Sequence, residues 1–472
     1  MKEALTGKKQ FAKKGSSILE ILIAVAVLTL GISAVIMLVF ANQSLTVDIE
    51  TGNEALSKAE TMLENARAAS RQDFNLVNPI PTAPDGIYNR GLDVQAVDLF
   101  TKKVVSNISW NLGGGRPQNI QLTTLVTNLA GPNGENTCSS VLTGDWAHPE
   151  LLGDVDVGQS NGASDVDIFL NKAYVTTDPS VASQKDFHII DVSNPNVSPL
   201  PILSSINTGP GLRAVQVGGQ YAYAANRSIN GQLQIIDIAA NPPQLKSTFK
   251  IVAVTGSGGQ ALGNTIFYKD GYVYLGLTKT QSGPEFNVID VSAPLNPIWK
   301  GGYSIGHDVN AILVRNNLAY VATPANAELK ILDISVPVNP TLFGEIDLPD
   351  NSANGKSMAI VGNKLYLGRT EGSSPLTKEL QVLDITNPAS PTPGASADVG
   401  STINAVTIRD NLAFMITNDA NLEFQIWDLN TMALYGSKNI QPTSAGGMDC
   451  EGNYVYIAQR SSKALQIVGP GL

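Results

Sequence analysis

Residues 329–334 read Leu329-Lys330-Ile331-Leu332-Asp333-Ile334, an alternating apolar strand stopped by an aspartate. The phrase returns as FHIIDV, LQIIDI, FNVIDV, LQVLDI and FQIWDL, which place their aspartates at Asp191, Asp237, Asp290, Asp384 and Asp428. A further copy, LQIVGP at 465–470, keeps the strand and loses the acid. Successive aspartates stand 46, 53, 43, 51 and 44 residues apart, which is the length of a four-stranded propeller blade. Upstream of each copy lies a second strand centred on an aromatic: Tyr174, Tyr223, Tyr274, Tyr320, Tyr366, Phe414 and Tyr456. Downstream come proline turns such as DVSNP and DITNPASP, then a fourth strand such as NPTLFGEIDLP at 339–349.

The last unit ends after its third strand. Its missing fourth strand stands far upstream, where HPELLGDVDVG (148–158) matches NPTLFGEIDLP class for class. A strand over 150–157 is therefore expected to pair with the last unit and close a ring of seven blades over 148–472, leaving no long open sheet edge. The phrase L-x-I-h-D, with h apolar, resembles the LVIVD-repeat propellers of exported and cell-surface proteins.

The aspartates could suggest a metal or catalytic ring. Each, however, follows an apolar strand and precedes a polar residue and often proline, the setting of an Asx-type turn. Asp191, Asp237, Asp290, Asp333, Asp384 and Asp428 are read as structural, and the aromatics as fillers between blades. The three histidines, His148, His188 and His307, lie in no zinc or nucleophile motif. No metal, no cofactor and no enzymatic activity are expected.

The N-terminus is of another kind. From Ile18 to Ala41 the only charge is Glu20, and lysines precede the run at Lys8, Lys9, Lys13 and Lys14. Its length suits a membrane span over about 18–41, and the lysines predict a cytoplasmic N-terminus with the rest extracytoplasmic. A secretory signal cut after Ala41 would have too long an apolar region, and a plain anchor leaves Glu20 without a partner.

Lys13-Lys14-Gly15 followed by Ser16-Ser17-Ile18-Leu19-Glu20 resembles the N-terminus of type IV pilins and pseudopilins. The resemblance implies a leader over 1–15, cleavage by a prepilin peptidase between Gly15 and Ser16, and methylation of the new terminus. It makes Glu20 the fifth mature residue, which pairs with a neighbouring subunit's amine during assembly. The family's usual first mature residue is Phe, and Ser16 departs from it. Helical spacing continues through Leu56, Ala59, Met62, Leu63, Ala66 and Ala69, so one helix is expected over 16–72.

Beyond Pro79, Pro81 and Pro84, two strands around 103–110 and 119–125 flank a Gly113–Pro117 turn. They resemble the heads of PilV-like minor pilins and predict a small β head over 73–135, with a linker over 136–147. The expected fold class is thus mainly β with one long N-terminal helix: a pilin-like transmembrane helix and small β head, then a seven-bladed β-propeller.

Composition sets the remaining limits. The 472 residues carry a net charge of −10, although five lysines fall in the first fifteen. Such an acidic surface argues against nucleic-acid binding. Cys138 and Cys450 form no metal-site spacing and are open to one bridge or two free thiols.

The function expected is a minor pilin or tip subunit of a type IV filament that displays a non-catalytic propeller for surface binding or adhesion. The alternatives are a secretion pseudopilin, or a membrane-anchored propeller with no filament role. Partners implied are other pilin subunits, the prepilin peptidase and a surface ligand. The setting implied is the cytoplasmic membrane, then the pilus or cell surface.

Overall fold

The computed structural model describes residues 18–72, 77–96, 101–112, 116–127, 138, 142–158, 162–179, 183–324, 327–349, 352–374, 377–440 and 445–471. The chain divides into two compact units, one of 1–96 with 101–127 and one of 97–100 with 128–472. The leader residues, with Gly15 and Ser16, lie outside the described residues, as does the Gly113–Gly115 turn.

The first unit is built on helix α1, Ile18–Gln72, of 55 residues. Nothing in that span breaks it: there is no proline, and Thr29 and Thr51 donate their hydroxyls to the carbonyls of Val25 (2.9 Å) and Val47 (2.8 Å) one turn back. Strands β1 (Ile80–Asp85), β2 (Tyr88–Ala96), β3 (Thr101–Leu112) and β4 (Arg116–Thr127) follow as one antiparallel sheet in sequence order. Pro81 and Pro84 sit in β1, an edge strand where a missing N–H breaks no ladder. Arg116 and Pro117, expected in the turn, are the first residues of β4.

The sheet covers the upper half of the helix. Ala55, Ala59, Met62, Leu63 and Ala66 pack against Tyr88, Leu92, Val104, Ile108, Trp110 and Val126. Ala55 rather than Leu56 faces this core, since Leu56 is 38% exposed. Small residues on the helix face allow the sheet to approach closely.

The fold-class expectation requires a correction. Among the described residues no helix is long and apolar enough to cross a membrane. A span needs about 20 predominantly apolar residues in succession, a condition that no helix of the described residues meets. The pilin-like transmembrane helix over 18–41 therefore does not stand, although the helix itself is long.

Among the described residues the second unit contains seven four-stranded antiparallel sheets. The first six are consecutive in the chain. The seventh joins Ala445–Glu451, Tyr454–Gln459 and Leu465–Gly471 to β5, Asp145–Val155. In that closure Leu465 lies opposite Val155 and Ile467 opposite Gly153, so the strand predicted upstream completes the last blade.

The innermost strands are Ala163–Phe169, Leu212–Gly218, Gly263–Lys269, Ala311–Arg315, Gly355–Val361, Ile403–Arg409 and Ala445–Glu451. Each touches the next, and the seventh touches the first. These blades are numbered 1 to 7 in that order. Within each blade a tight turn joins the first two strands, with a left-handed residue at Asn171, Gly219, Asp270, Asn316, Gly362, Asp410 or Gly452. These are residue types that accept positive φ.

Seven apolar clusters fill the seven spaces between blades, and each contains one of the predicted aromatics. Tyr174 lies between blades 1 and 2, Tyr223 between 2 and 3, Tyr274 between 3 and 4, and Tyr320 between 4 and 5. Tyr366, Phe414 and Tyr456 occupy the remaining three. All seven are at most 7% exposed.

Fourth strands use a glycine where the next blade's proline turn presses on them. A Cβ at Gly344 would stand 2.2 Å from the carbonyl oxygen of Pro388, and one at Gly301 2.6 Å from that of Val338. Cys138 and Cys450 are joined by a disulfide, which ties the segment before β5 to the inner strand of blade 7.

Candidate ligand-binding face of the propeller

The six repeated aspartates form no common site, because each works within its own blade. Asp191 accepts the N–H of Ser193 at 2.9 Å, Asp290 that of Ser292 at 3.1 Å, Asp333 that of Ser335 at 2.8 Å and Asp384 that of Thr386 at 2.8 Å. Asp237 and Asp428 accept from Ala239 (3.1 Å) and Asn430 (2.7 Å) in the same way. Hydrogen bonds to the charged form, from Ser193, Ser292, Ser335 and Thr386, hold Asp191, Asp290, Asp333 and Asp384 below the usual carboxylate range. Glu20 lies on α1, and its side chain is outside the described residues.

A second family of acids went unnoticed in the sequence. It occupies the position just before the L-x-I-h-D phrase, as Asp186, Glu285, Glu328, Glu379 and Glu423, all at most 3% exposed. Each accepts a backbone N–H where the fourth strand leaves the blade. The donors are Thr208 (2.6 Å), Ile305 (2.9 Å), Leu348 (2.8 Å), Val399 (2.8 Å) and Ile440 (3.1 Å). Glu328 also meets Arg369 from the next blade at 2.7 Å, with both side chains 1% exposed. The repeat of an acid directly before Leu or Phe was the available signal.

Another polar set faces the axis. The innermost strand of each blade is a sheet edge, so alternate N–H groups lack a ladder partner, and side chains from the preceding blade reach across to them. Asp449 accepts from Ile168 N at 2.6 Å, Asp165 from Val215 N at 3.0 Å, Asp167 from Val217 N at 2.7 Å and Gln216 from Tyr268 N at 2.5 Å. Gly447 makes room: a Cβ there would meet Asp165 Oδ1 at 1.8 Å. Burial pushes Asp165 and Asp449 up to about 7 and raises Asp167 as well, with neighbouring carboxylates adding to the rise. Among the described residues no three His, Cys, Asp or Glu side chains are arranged to hold a metal.

His188 is 1% exposed in the third strand of blade 1, with Nδ1 2.9 Å from Ser205 Oγ. Burial lowers its pKa to about 4, which makes it a neutral packing residue near pH 7. His148 pairs with Asp145 at 2.7 Å on the surface, and His307 is exposed.

One end of the ring differs from the rest. Where the innermost strands begin, the side chains in register are Ser164, Arg213, Asn264, Asn310, Lys356 and Asn404, with Gly446 in blade 7. Several bond forward around the ring. Ser164 donates to Leu212 O (2.6 Å), Arg213 to Asn264 Oδ1 (2.8 Å), Asn264 to Val309 O (2.7 Å) and Asn310 to Gly355 O (2.7 Å). The ends of the second strands surround this belt with Asp178, Arg227 and Arg460. Asp178 and Arg227 pair at 2.7 Å. The backbone at Arg460 lies against Gly162, where a Cβ would meet Arg460 Cα at 2.4 Å.

The LVIVD repeat family matches residues 163–206, 212–250, 306–347 and 374–398. The chain therefore carries LVIVD repeats within a β-propeller-like fold. No curated protein matches it. Among solved structures it is similar to the computationally designed Ika8 protein, at 12% identity over 68% of this chain and 99% of that one, TM-score 0.47. It is also similar to the WD40 β-propeller domain of Doa1, at 10% identity over 70% and 98%, TM-score 0.47. A third is a chain of the mitotic checkpoint complex, at 15% identity over 69% and 96%, TM-score 0.48.

Proposed function

We propose that this protein is a minor or terminal subunit of a type IV filament, whose propeller serves as a binding module at the cell surface and performs no catalysis. One observation carries the reading. Leu22, Ile23, Val25, Val27, Leu28, Leu30, Ile32, Val35, Ile36, Met37, Leu38 and Val39 point to every side of α1, and each is between 48% and 73% exposed. A helix apolar all round is stable only when something covers it, and among the described residues nothing does so. Equivalent helices of neighbouring subunits would, in a filament core. The Cys138–Cys450 bridge supports an exported, oxidising setting for the propeller. A propeller of this size suits a rare or terminal position better than every place along a shaft.

The test is the mature N-terminus together with assembly. Mass spectrometry is expected to find a chain beginning at Ser16, and Glu20→Ala is expected to leave the propeller folded while abolishing incorporation into filaments. An intact leader, a start at Asn42, or normal incorporation of the variant would refute the reading. A propeller with no filament role is the second reading. It is favoured by the repeat match, which lies wholly within 163–398 and needs nothing from the N-terminus.

A further inference from the structure

The end of the ring that carries Arg213 and Lys356 gathers cations from several blades. Arg213 begins the inner strand of blade 2, Lys356 that of blade 5, and Arg460 stands between the second and third strands of blade 7. They come from widely separated parts of the ring, yet the charge of Arg460 acts on both of the others. Burial, foremost, and then that repulsion lower Lys356; burial is also the main cause for Arg213, where the attraction of Asp178 and Asp308 opposes burial and the repulsion of Arg227 and Arg460.

The nearby acids are otherwise engaged. Asp178 is paired with Arg227, and Asp308 accepts the backbone N–H of Lys279 at 2.7 Å. Among the described residues neither Lys356 nor Arg460 forms an ion pair, and Arg213 donates to the neutral amide of Asn264. General surface charge does not account for this, because the chain is acidic overall. Like charges brought together repel each other, and the half-buried pair Arg213 and Lys356 also loses solvation, an arrangement that an incoming anion offsets.

We propose that this mouth of the propeller binds an oxyanion group, a carboxylate or phosphate carried by the ligand, held by Arg213, Lys356 and Arg460 with the asparagine belt fixing Arg213. The proposal deepens the reading of the propeller as a binding module and rests on it, but not on the filament. Arg460, on an exposed loop, would make first contact, and Lys356 and Arg213 would receive the anion deeper in the mouth.

Calorimetric titration of the full chain with citrate and with pyrophosphate tests the idea and separates the two sources of charge. Binding of at least one anion is expected at low salt, weakening as salt rises. Lys356→Ala with Arg460→Ala is expected to weaken it about tenfold or more, whereas Lys246→Ala on an outer strand leaves it unchanged. Should the double variant fail to fold, Arg460→Glu alone decides, since that side chain is exposed and forms no ion pair among the described residues. Absence of binding by both anions at low salt, or equal affinity in the variants, would overturn the proposal. Filament incorporation of Arg460→Glu separates the two hypotheses, because loss of anion binding with normal incorporation leaves the filament role standing.

Discussion

Removing Arg369 should be the most damaging single change in the propeller. Its guanidinium is fully enclosed, with Nη2 2.7 Å from Glu328 Oε1 and 3.0 Å from the carbonyl of Pro349. Glu328 meanwhile holds Leu348 N at 2.8 Å through its other oxygen. Arg369→Met keeps much of the side-chain volume but leaves an enclosed carboxylate without its counter-charge. Breaking a buried pair from one side costs about 3–5 kcal/mol, a large part of the roughly 5–15 kcal/mol that holds a domain folded.

With a urea m-value of about 3 kcal/mol/M, the unfolding midpoint should fall by about 1–1.7 M. Fluorescence of Trp299 and Trp427, in blades 3 and 6, reports the transition. Glu328→Gln combined with Arg369→Met removes both charges while an amide oxygen still accepts from Leu348. The double variant should therefore recover most of the loss. A midpoint shift of Arg369→Met below about 0.3 M, or a double variant no better than the single one, would refute the claim that the pair is enclosed and mutually required.

Other expectations are smaller or differ in kind. Gly344→Ala should destabilise by about 1–3 kcal/mol, because its Cβ meets the backbone oxygen of Pro388; a neutral result in thermal melts would mean the proline turn is free to move. The acids facing the axis predict stability that falls with rising pH. Asp165 and Asp449 are raised from 3.8 to about 7 in the folded chain. Their contribution is therefore complete below about 4 and lost as pH rises through about 7. Asp165→Asn, whose amide oxygen still accepts from Val215 N, should flatten urea midpoints measured from pH 5 to 8. Cys138→Ser with Cys450→Ser should lower stability by about 2–5 kcal/mol, and a reducing agent should shift the melting of the parent chain but not of the double variant.

The extent to which the propeller was legible depended on how local each feature is. The phrase ending in Asp333 repeats because every blade solves the same local problem, stopping a strand and turning the chain, so the Asx role of the six aspartates could be read directly. The aromatics were legible for a similar reason, since each blade must fill one interface. Even the long-range pairing of β5 with Leu465–Gly471 was readable, because the absent fourth strand left a gap that only one segment matched. The buried acids before each phrase were missed although they also repeat. An isolated Glu before Leu looks like a surface residue until the chain of the same blade folds back and brings Leu348 N to Glu328.

What required tertiary structure was everything that joins residues from different blades. Arg369 reads as an ordinary strand residue, and only the packing of blade 5 on blade 4 encloses it with Glu328. Asp165 and Asp449 are nearly three hundred residues apart, and ring closure alone places them in one wall, where burial raises both. Arg213, Lys356 and Arg460 share no motif and come to the same end of the ring only because the blades close around one axis. Alternation and turn chemistry are encoded within a few residues and so determine the blade. Burial and the mutual effect of charges depend on distance through space, which a linear chain does not carry until the ring has closed.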